Sequence, residues 1–259
     1  MKLFQRIFFA AVLSGLAAGG VMAGLQQWRV APLILAAEVY ENAEPAHSHD
    51  EGAVDVAPTP GPSPQGGGVQ VVPAHEHEHD EDAWAPADGP ERVGFTVSAD
   101  ILAALGFAFV LAAASVLGGI DVTARNGVIW GLAGFAVFQL APAFGLAPEL
   151  PGMPAADLLA RQIWWWGTAI ATATAIFGIA KFQNWPAIAI GAVLVLLPHV
   201  IGAPQLVGEH ESGVPAHLAT EFAANTLFVG AAFWMVLGPL YGWLVARFAE
   251  QPAGKAVAA

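Results

Sequence analysis

Six long apolar stretches, separated by more polar segments, constrain what this chain can fold into. The stretches run roughly over residues 7–25, 99–119, 127–146, 163–180, 187–201 and 222–245. A helix rises about 1.5 Å per residue, so about 20 residues cross the ~30 Å hydrocarbon core of a bilayer. Charged residues make up only 12% of the chain, against about 25% in a soluble domain. The sequence therefore predicts an all-α, polytopic membrane helix bundle with six spans.

The first apolar stretch allows two interpretations. Basic residues precede it and Val21-Met22-Ala23 near its end resembles a cleavage site, a pattern typical of a cleaved secretory signal, which would leave five spans. Against cleavage, its apolar run of about 19 residues is longer than the usual ~7–15 of a signal core. It also contains the spacings Gly15-xxx-Gly19 and Gly20-xxx-Gly24, which suit helix–helix packing. We expect the first helix to be retained.

A long polar insertion follows the first stretch. It is rich in Pro, Gly, Asp, Glu and His, and such a segment buries too little apolar area to offset its ordering entropy. We predict a disordered, His/Asp/Glu-rich loop outside the cytoplasm. The predicted organisation is a first membrane helix with its outer exit at 1–40, the His-rich loop at 41–96, a five-helix membrane bundle at 97–250 and a cytoplasmic tail at 251–259.

The distribution of charge indicates the orientation of the chain. With the amino end in the cytoplasm, six of the nine Lys and Arg residues fall in cytoplasmic segments and three fall outside, in agreement with the positive-inside rule. We therefore predict a multi-pass protein of the inner (cytoplasmic) membrane. Both termini would be cytoplasmic and the His-rich loop periplasmic or extracellular. Nucleic acid is not expected as a partner, because the basic residues form no patch.

Two histidine tracts in the predicted loop carry a metal-binding signal. One contains His47 and His49, and the other contains His75, His77 and His79, each with acidic neighbours. The chain has no cysteine, so ligands must be imidazole, carboxylate, carbonyl or thioether groups. Imidazole with carboxylate suits Co²⁺, Ni²⁺, Zn²⁺ or Cu²⁺. We interpret the tracts as metal-capture segments, the alternative being solvated polar segments that bind metal only incidentally.

A histidine inside the fifth stretch is the candidate inner ligand. His199 directly follows Pro198, and an ionisable residue within a membrane span is costly and marks a functional site by default. Pro198 removes an amide donor and frees a carbonyl one turn earlier, which can line a polar cavity. The alternative is a neutral imidazole bonded to that carbonyl for structural reasons alone.

A polar stripe is predicted at the outer entrance of the last span. His217, Glu221 and Asn225 are spaced i, i+4, i+8, so a helix places them on one face. His210 lies just before them in an acidic context. A cation could step along such a file, and Gln139 in the third stretch could complete its ligand shell or bond a neighbouring helix. The alternative for the stripe is a helix start with interface hydrogen bonds.

Short motifs along the chain together resemble a known family. In order they are LQQW (25–28) and PLILAAE (32–38), GLAGF (131–135) with QLAP (139–142), PELPG (148–152) with RQIWW (161–165), LPHVIGAP (197–204), and FW (233–234) with GW (242–243). Their order and spacing resemble the CbtA family of proposed cobalt transporter subunits. The resemblance implies cobalt uptake across the cytoplasmic membrane, connected with cobalamin synthesis. It also implies a small one-span partner, CbtB, with its own histidine-rich end.

The residues and the resemblance together predict a transporter and not an enzyme. The cargo would be a divalent metal, Co²⁺ by the resemblance, with Ni²⁺ or Zn²⁺ as chemically similar alternatives, and no prosthetic group is expected. The outer tracts would collect the ion, and the stripe would pass it to His199. Two alternatives stay open: a metal-binding scaffold or sensor subunit that does not transport, and a membrane-embedded metalloenzyme in which His199 and Glu221 hold a metal that activates water.

Overall fold

The computed structural model describes residues 3–41, 84, 86–206 and 212–250. Every regular element in these residues is helical, which confirms the predicted all-α class for the described part of the chain. In chain order the helices are α1 (Leu3–Arg29), α2 (Ala31–Glu41), α3 (Pro90–Gly118), α4 (Gly127–Ala143), α5 (Leu158–Phe182), α6 (Trp185–Ile201) and α7 (Ala216–Glu250).

Four of these helices are long and apolar enough to cross a membrane. They are α1, α3, α5 and α7. Helices α4 and α6 are apolar but shorter. The 17 residues of α6 give a length of about 26 Å, slightly less than a ~30 Å hydrocarbon core. The described residues thus contain four candidate membrane spans by length and composition, and the count of six stays a prediction. Most of the predicted loop and all of the predicted tail lie outside the described residues.

Helix α3 begins at Pro90, seven residues before the predicted bundle start at 97. A proline fits the first turn of a helix, where its missing N–H needs no partner, and the positive end of the helix favours Glu91 in the same turn. Arg92 Nη1 of α3 donates to Glu38 Oε2 of α2 over 3.2 Å and links the two helices.

Small residues bring α1 and α3 into close contact. A Cβ atom added to Gly19 would lie 2.9 Å from Ala104 Cβ, and one added to Gly15 would lie 3.2 Å from Ala108 Cβ. The first of the two predicted Gly-xxx-Gly spacings therefore packs as expected. At the second, over residues 20–24, an added Cβ would meet no described atom within 4 Å.

Helix α7 is the central helix, because it packs against both α1 and α4. Its approach to α4 is close enough that a Cβ on Gly127 would lie 2.5 Å from the carbonyl oxygen of Gly238. The indole of Trp234 is 2% exposed and stacks on Phe138 of α4, with ring centroids 5.8 Å apart. This contact fixes the part of α4 that carries the polar residues described below.

Helices α5 and α6 form a hairpin at the side of this core. Its turn passes through Gln183, whose φ of 50° is left-handed, and Asn184 caps α6 by accepting from the Ala187 N–H over 2.9 Å. Lys181 Nζ donates to the carbonyl of Gly118 at the end of α3, over 3.1 Å. The other end of α5 packs against α4, so the hairpin is attached at both ends of its first helix.

Candidate functional site

A π-helical turn interrupts α4 at Ala136–Leu140. The Ala141 N–H bonds the carbonyl of Ala136 across this turn, and Pro142 follows with no N–H to donate. Such single π turns inside α-helices occur frequently at functional sites. Here the turn contains Gln139, whose Oε1 is buried and has no hydrogen-bond partner among the described residues.

Gln139 lines a cavity of about 440 Å³ between α4, the connection that follows it, α5 and α7. The polar lining residues are Gln139, Glu149, Arg161, Gln162 and Thr226, and the others are apolar or aromatic. Water occupies roughly 30 Å³ per molecule in the liquid, so a cation with six waters needs about 180 Å³. The cavity is therefore large enough for a hydrated ion.

A second unpaired oxygen lies in the same cavity wall. Thr226 Oγ1 on α7 is buried and, like Gln139 Oε1, has no hydrogen-bond partner in the described part of the chain. A buried polar group without a partner costs about 1–3 kcal/mol, and each such group in a native protein needs an explanation. Gln139 and Thr226, each with such an oxygen, line the same cavity.

An ion pair completes the polar lining. Arg161 Nη2 lies 2.5 Å from Glu149 Oε2, and the two side chains are 26% and 29% exposed. Arg161 sits in the first turn of α5, whose start is fixed by Asp157: its Oδ1 accepts from the Ala160 N–H over 2.8 Å. Sequence reasoning assigned no chemistry to either member of the pair, although both belong to the motifs that carry the family resemblance.

His199 lies at the end of α6 and is absent from the residues that line the cavity. Its ring makes edge contacts with Trp164 and Phe144, with centroids 5.8 and 6.0 Å away. The carbonyl of Pro198 is occupied, because Trp164 Nε1 donates to it over 3.1 Å. His199 therefore belongs to an aromatic cluster of α5, α6 and the end of α4.

The predicted stripe lies on one continuous helix, α7. His217 and Glu221 are exposed, whereas Asn225 is buried. Asn225 Oδ1 accepts from Arg29 Nε over 2.9 Å, and its Nδ2 donates to the carbonyl of Glu221 over 2.8 Å. Asn225 thus links α7 to the end of α1, and its carbonyl oxygen is already engaged by a cation.

The remaining predicted ligands lie outside the described residues; they are His47, His49, His75, His77, His79 and His210. Within the described ranges, no group of three or more His, Asp or Glu residues is arranged to hold a metal ion. Of the residues considered from the sequence, Gln139 is the one that lines the cavity.

Asp100 is a further polar residue that sequence reasoning did not single out. It is 6% exposed on α3, and its Oδ2 has no described hydrogen-bond partner. It is the second residue of the apolar stretch 99–119 and lies ten residues after the start of the longer helix α3. The signal in the sequence was an acidic residue within an apolar stretch.

The comparison with protein families finds a match over nearly the whole chain. The family described as "Probable cobalt transporter subunit (CbtA)" matches residues 4–246, nearly the whole chain. No curated protein and no solved structure matches the chain. The apolar helices and the family together identify a membrane protein, and the match over residues 4–246 shows that the chain belongs to the CbtA family.

Proposed function

We propose that this chain takes up a divalent transition metal, with Co²⁺ as cargo, across the inner membrane in support of cobalamin synthesis. The family match supports the cargo. The single observation that carries a transport role is the cavity, which is lined by Gln139 and Thr226, two residues whose buried oxygens have no described partner. Chemically similar ions such as Ni²⁺ and Zn²⁺ are accepted by the same kinds of ligand.

The depth of the cavity suits a transport site. Thr226 lies four residues inside the apolar stretch 222–245, which is about 6 Å along a helix, and Arg161 lies in the first turn of α5. The charge distribution predicts that these ends of α5 and α7 face outward. The cavity then lies in the outer part of the membrane, where an ion can enter it from the outer surface.

The proposed path begins at the histidine tracts outside the membrane. They collect the ion, and His210, His217 and Glu221 pass it toward the cavity. The exposure of His217 and Glu221 supports this part of the path. His199 is proposed as a second station at the end of α6. Asn225, already bonded to Arg29, would have to exchange that bond in order to take part.

The membrane potential supplies a sufficient driving force. A potential of about 100 mV, negative inside, contributes about 2.3 kcal/mol per elementary charge, hence about 4.6 kcal/mol for a divalent ion. This corresponds to roughly 10³-fold accumulation. We further propose a small one-span subunit of the CbtB type as partner, since the family is described as a transporter subunit.

The test is radiolabelled Co²⁺ uptake by cells that carry the chain with either Gln139→Leu or the control Gln205→Leu. Gln205 is exposed and its amide donates to a local carbonyl, that of Ala203. Loss of one net hydrogen bond is worth about 0.5–1.5 kcal/mol, so we expect the KM of the Gln139 variant to rise about two- to tenfold. Equal KM values in the two variants would contradict the role of the cavity.

A second measurement separates transport from the scaffold alternative. Purified chain, with and without a one-span partner, is reconstituted into vesicles, and Co²⁺ flux and Co²⁺ binding are measured together. Flux supports the proposal. Stoichiometric binding without flux in either preparation would overturn it in favour of a metal-binding scaffold or sensor.

A further inference from the structure

The charges that line the cavity cancel. Glu149 and Arg161 are its charged lining residues, and they are paired with each other. A cation that enters therefore meets no net attraction from the wall while the pair is intact. The cavity thus contains a carboxylate of the type that binds divalent ions, already neutralised by a residue of the chain.

Building on the proposed function, we propose that Glu149 is the anionic ligand for the transported cation and that Arg161 is a resident counter-charge which the cation displaces. The pair then acts as a valence filter. A monovalent ion that replaces Arg161 only exchanges one positive charge for another. A divalent ion brings twice the charge to the same carboxylate, so it alone gains electrostatically from the exchange.

The two partners differ in mobility in the way this exchange requires. Glu149 lies in a braced connection, between Pro148 and the buried Leu150. The Met153 N–H closes a turn by donating to the Leu150 carbonyl over 3.2 Å. Arg161 instead projects a long side chain from the first turn of α5, where such a side chain can extend toward water. Arg161 is therefore the partner that moves.

Gln139 and Thr226 fit the same exchange. Both residues line the cavity, and their buried oxygens are neutral and without a described partner. Rotated toward an ion, these oxygens would replace water around it without adding charge. The wall then offers two neutral oxygens and one carboxylate whose charge becomes available only when Arg161 leaves. A monovalent ion bound to these three side chains carries the same charge as Arg161, so it gains nothing electrostatically by displacing Arg161.

The proposal is tested by Co²⁺ binding to the purified full-length chain and by Co²⁺ uptake in cells, for Arg161→Gln, Glu149→Gln and the double variant. We expect Arg161→Gln to lower the Kd and the KM for Co²⁺ on the order of tenfold, because the guanidinium of Arg161 no longer competes with Co²⁺ for the carboxylate of Glu149. Glu149→Gln is expected to raise both by a similar factor. The double variant also removes the unpaired charge of Arg161, so it should bind Co²⁺ more tightly than Glu149→Gln but more weakly than Arg161→Gln.

The matched control is a second ion pair outside the cavity. Arg92 and Glu38 are paired and comparably exposed, so Arg92→Gln is expected to leave both constants unchanged. A purely structural role predicts that Arg161→Gln and Glu149→Gln weaken Co²⁺ binding alike, and that result would overturn the proposal. A lower Kd in Arg92→Gln as well would also overturn it, because the effect would then be one of general charge.

Two further measurements keep the test decisive. Na⁺ at 100-fold excess should not compete with Co²⁺ in the wild-type chain, and competition there would refute the valence filter. If the Arg161→Gln protein does not accumulate in cells, Arg161→Lys replaces it in the test. Lysine keeps the positive charge, so the Kd for Co²⁺ is expected to stay within about threefold of wild type. Co²⁺ binding weakened tenfold in Arg161→Lys would refute the displacement of Arg161. If the chain transports Co²⁺ but the Kd is the same in Arg161→Gln, Glu149→Gln and wild type, the ion-pair exchange is refuted and the proposed function stands. If the Kd shifts as expected but no Co²⁺ flux is found, the proposed function is refuted.

Discussion

A methyl group added at Gly230 or at Gly131 meets two very different neighbours. At Gly230 an added Cβ would collide with the terminal amide of Gln139, the free end of a flexible side chain. At Gly131 it would collide with the main-chain carbonyl oxygen of Trp234, which cannot rotate away. We expect Gly230→Ala to displace the Gln139 amide while the helices stay in place. Gly131→Ala should instead force α4 away from α7.

The magnitudes follow from these contacts. Moving Gln139 off its rotamer costs about 0.5–1.5 kcal/mol, and replacing a glycine inside a helix contributes about 0.5–1 kcal/mol in the opposite sense. The stability of Gly230→Ala should therefore stay within about 1 kcal/mol of wild type. Overpacking against a fixed backbone costs typically 1–3 kcal/mol, so Gly131→Ala should unfold at a lower temperature.

Two assays separate the variants. Thermal unfolding in detergent is followed by the fluorescence of the nine tryptophans, one of which, Trp234, lies at the α4–α7 contact. Co²⁺ uptake is expected to show a KM raised about two- to tenfold in Gly230→Ala, as for loss of one hydrogen-bonding ligand. Equal loss of stability in both variants would refute the reasoning, and so would a wild-type KM in Gly230→Ala.

Two other polar positions give stability predictions in the same unfolding assay. Asn225→Leu leaves Arg29 without its acceptor and should lower the free energy of unfolding by about 1–3 kcal/mol. His217→Ala, at an exposed position, should change it by less than about 0.5 kcal/mol. Equal unfolding midpoints in the two variants would show that the bond to Arg29 contributes nothing. Asp100→Leu removes a buried carboxyl oxygen that has no described partner and should raise stability by about 1–3 kcal/mol; a lower midpoint would mean that the carboxyl is satisfied in the membrane.

Most of the fold was predicted from hydropathy and from helix periodicity. The apolar runs located α1, α3, α5 and α7, because a helix must keep every backbone polar group bonded in hydrocarbon and its side chains must be apolar there. The spacing of Gly15 and Gly19 also predicted a close helix contact that α3 provides. Hydropathy and glycine spacing are local in the sequence, so they can be interpreted without knowledge of the tertiary structure.

The candidate site depends on contacts that no local signal contains. The bond between Arg29 and Asn225 joins residues 196 positions apart, so the helical spacing of Asn225 with Glu221 could not reveal it. The pairing of Arg161 with Glu149 was not predicted, because it depends on how the connection before α5 folds back. Gln139 was noted as polar within a span, but the π turn that carries it has no sequence signature.

The chemistry of the cavity sets a limit on what it can select. Its candidate ligands, the amide of Gln139, the hydroxyl of Thr226 and the carboxylate of Glu149, are all oxygen donors. Oxygen donors suit Mg²⁺, Ca²⁺ and Mn²⁺, whereas Co²⁺, Ni²⁺ and Zn²⁺ are favoured by imidazole. Under the proposed function the cavity therefore distinguishes ions by valence. The choice of a transition metal over the more abundant Mg²⁺ must then be made by the histidines, before the ion reaches Glu149.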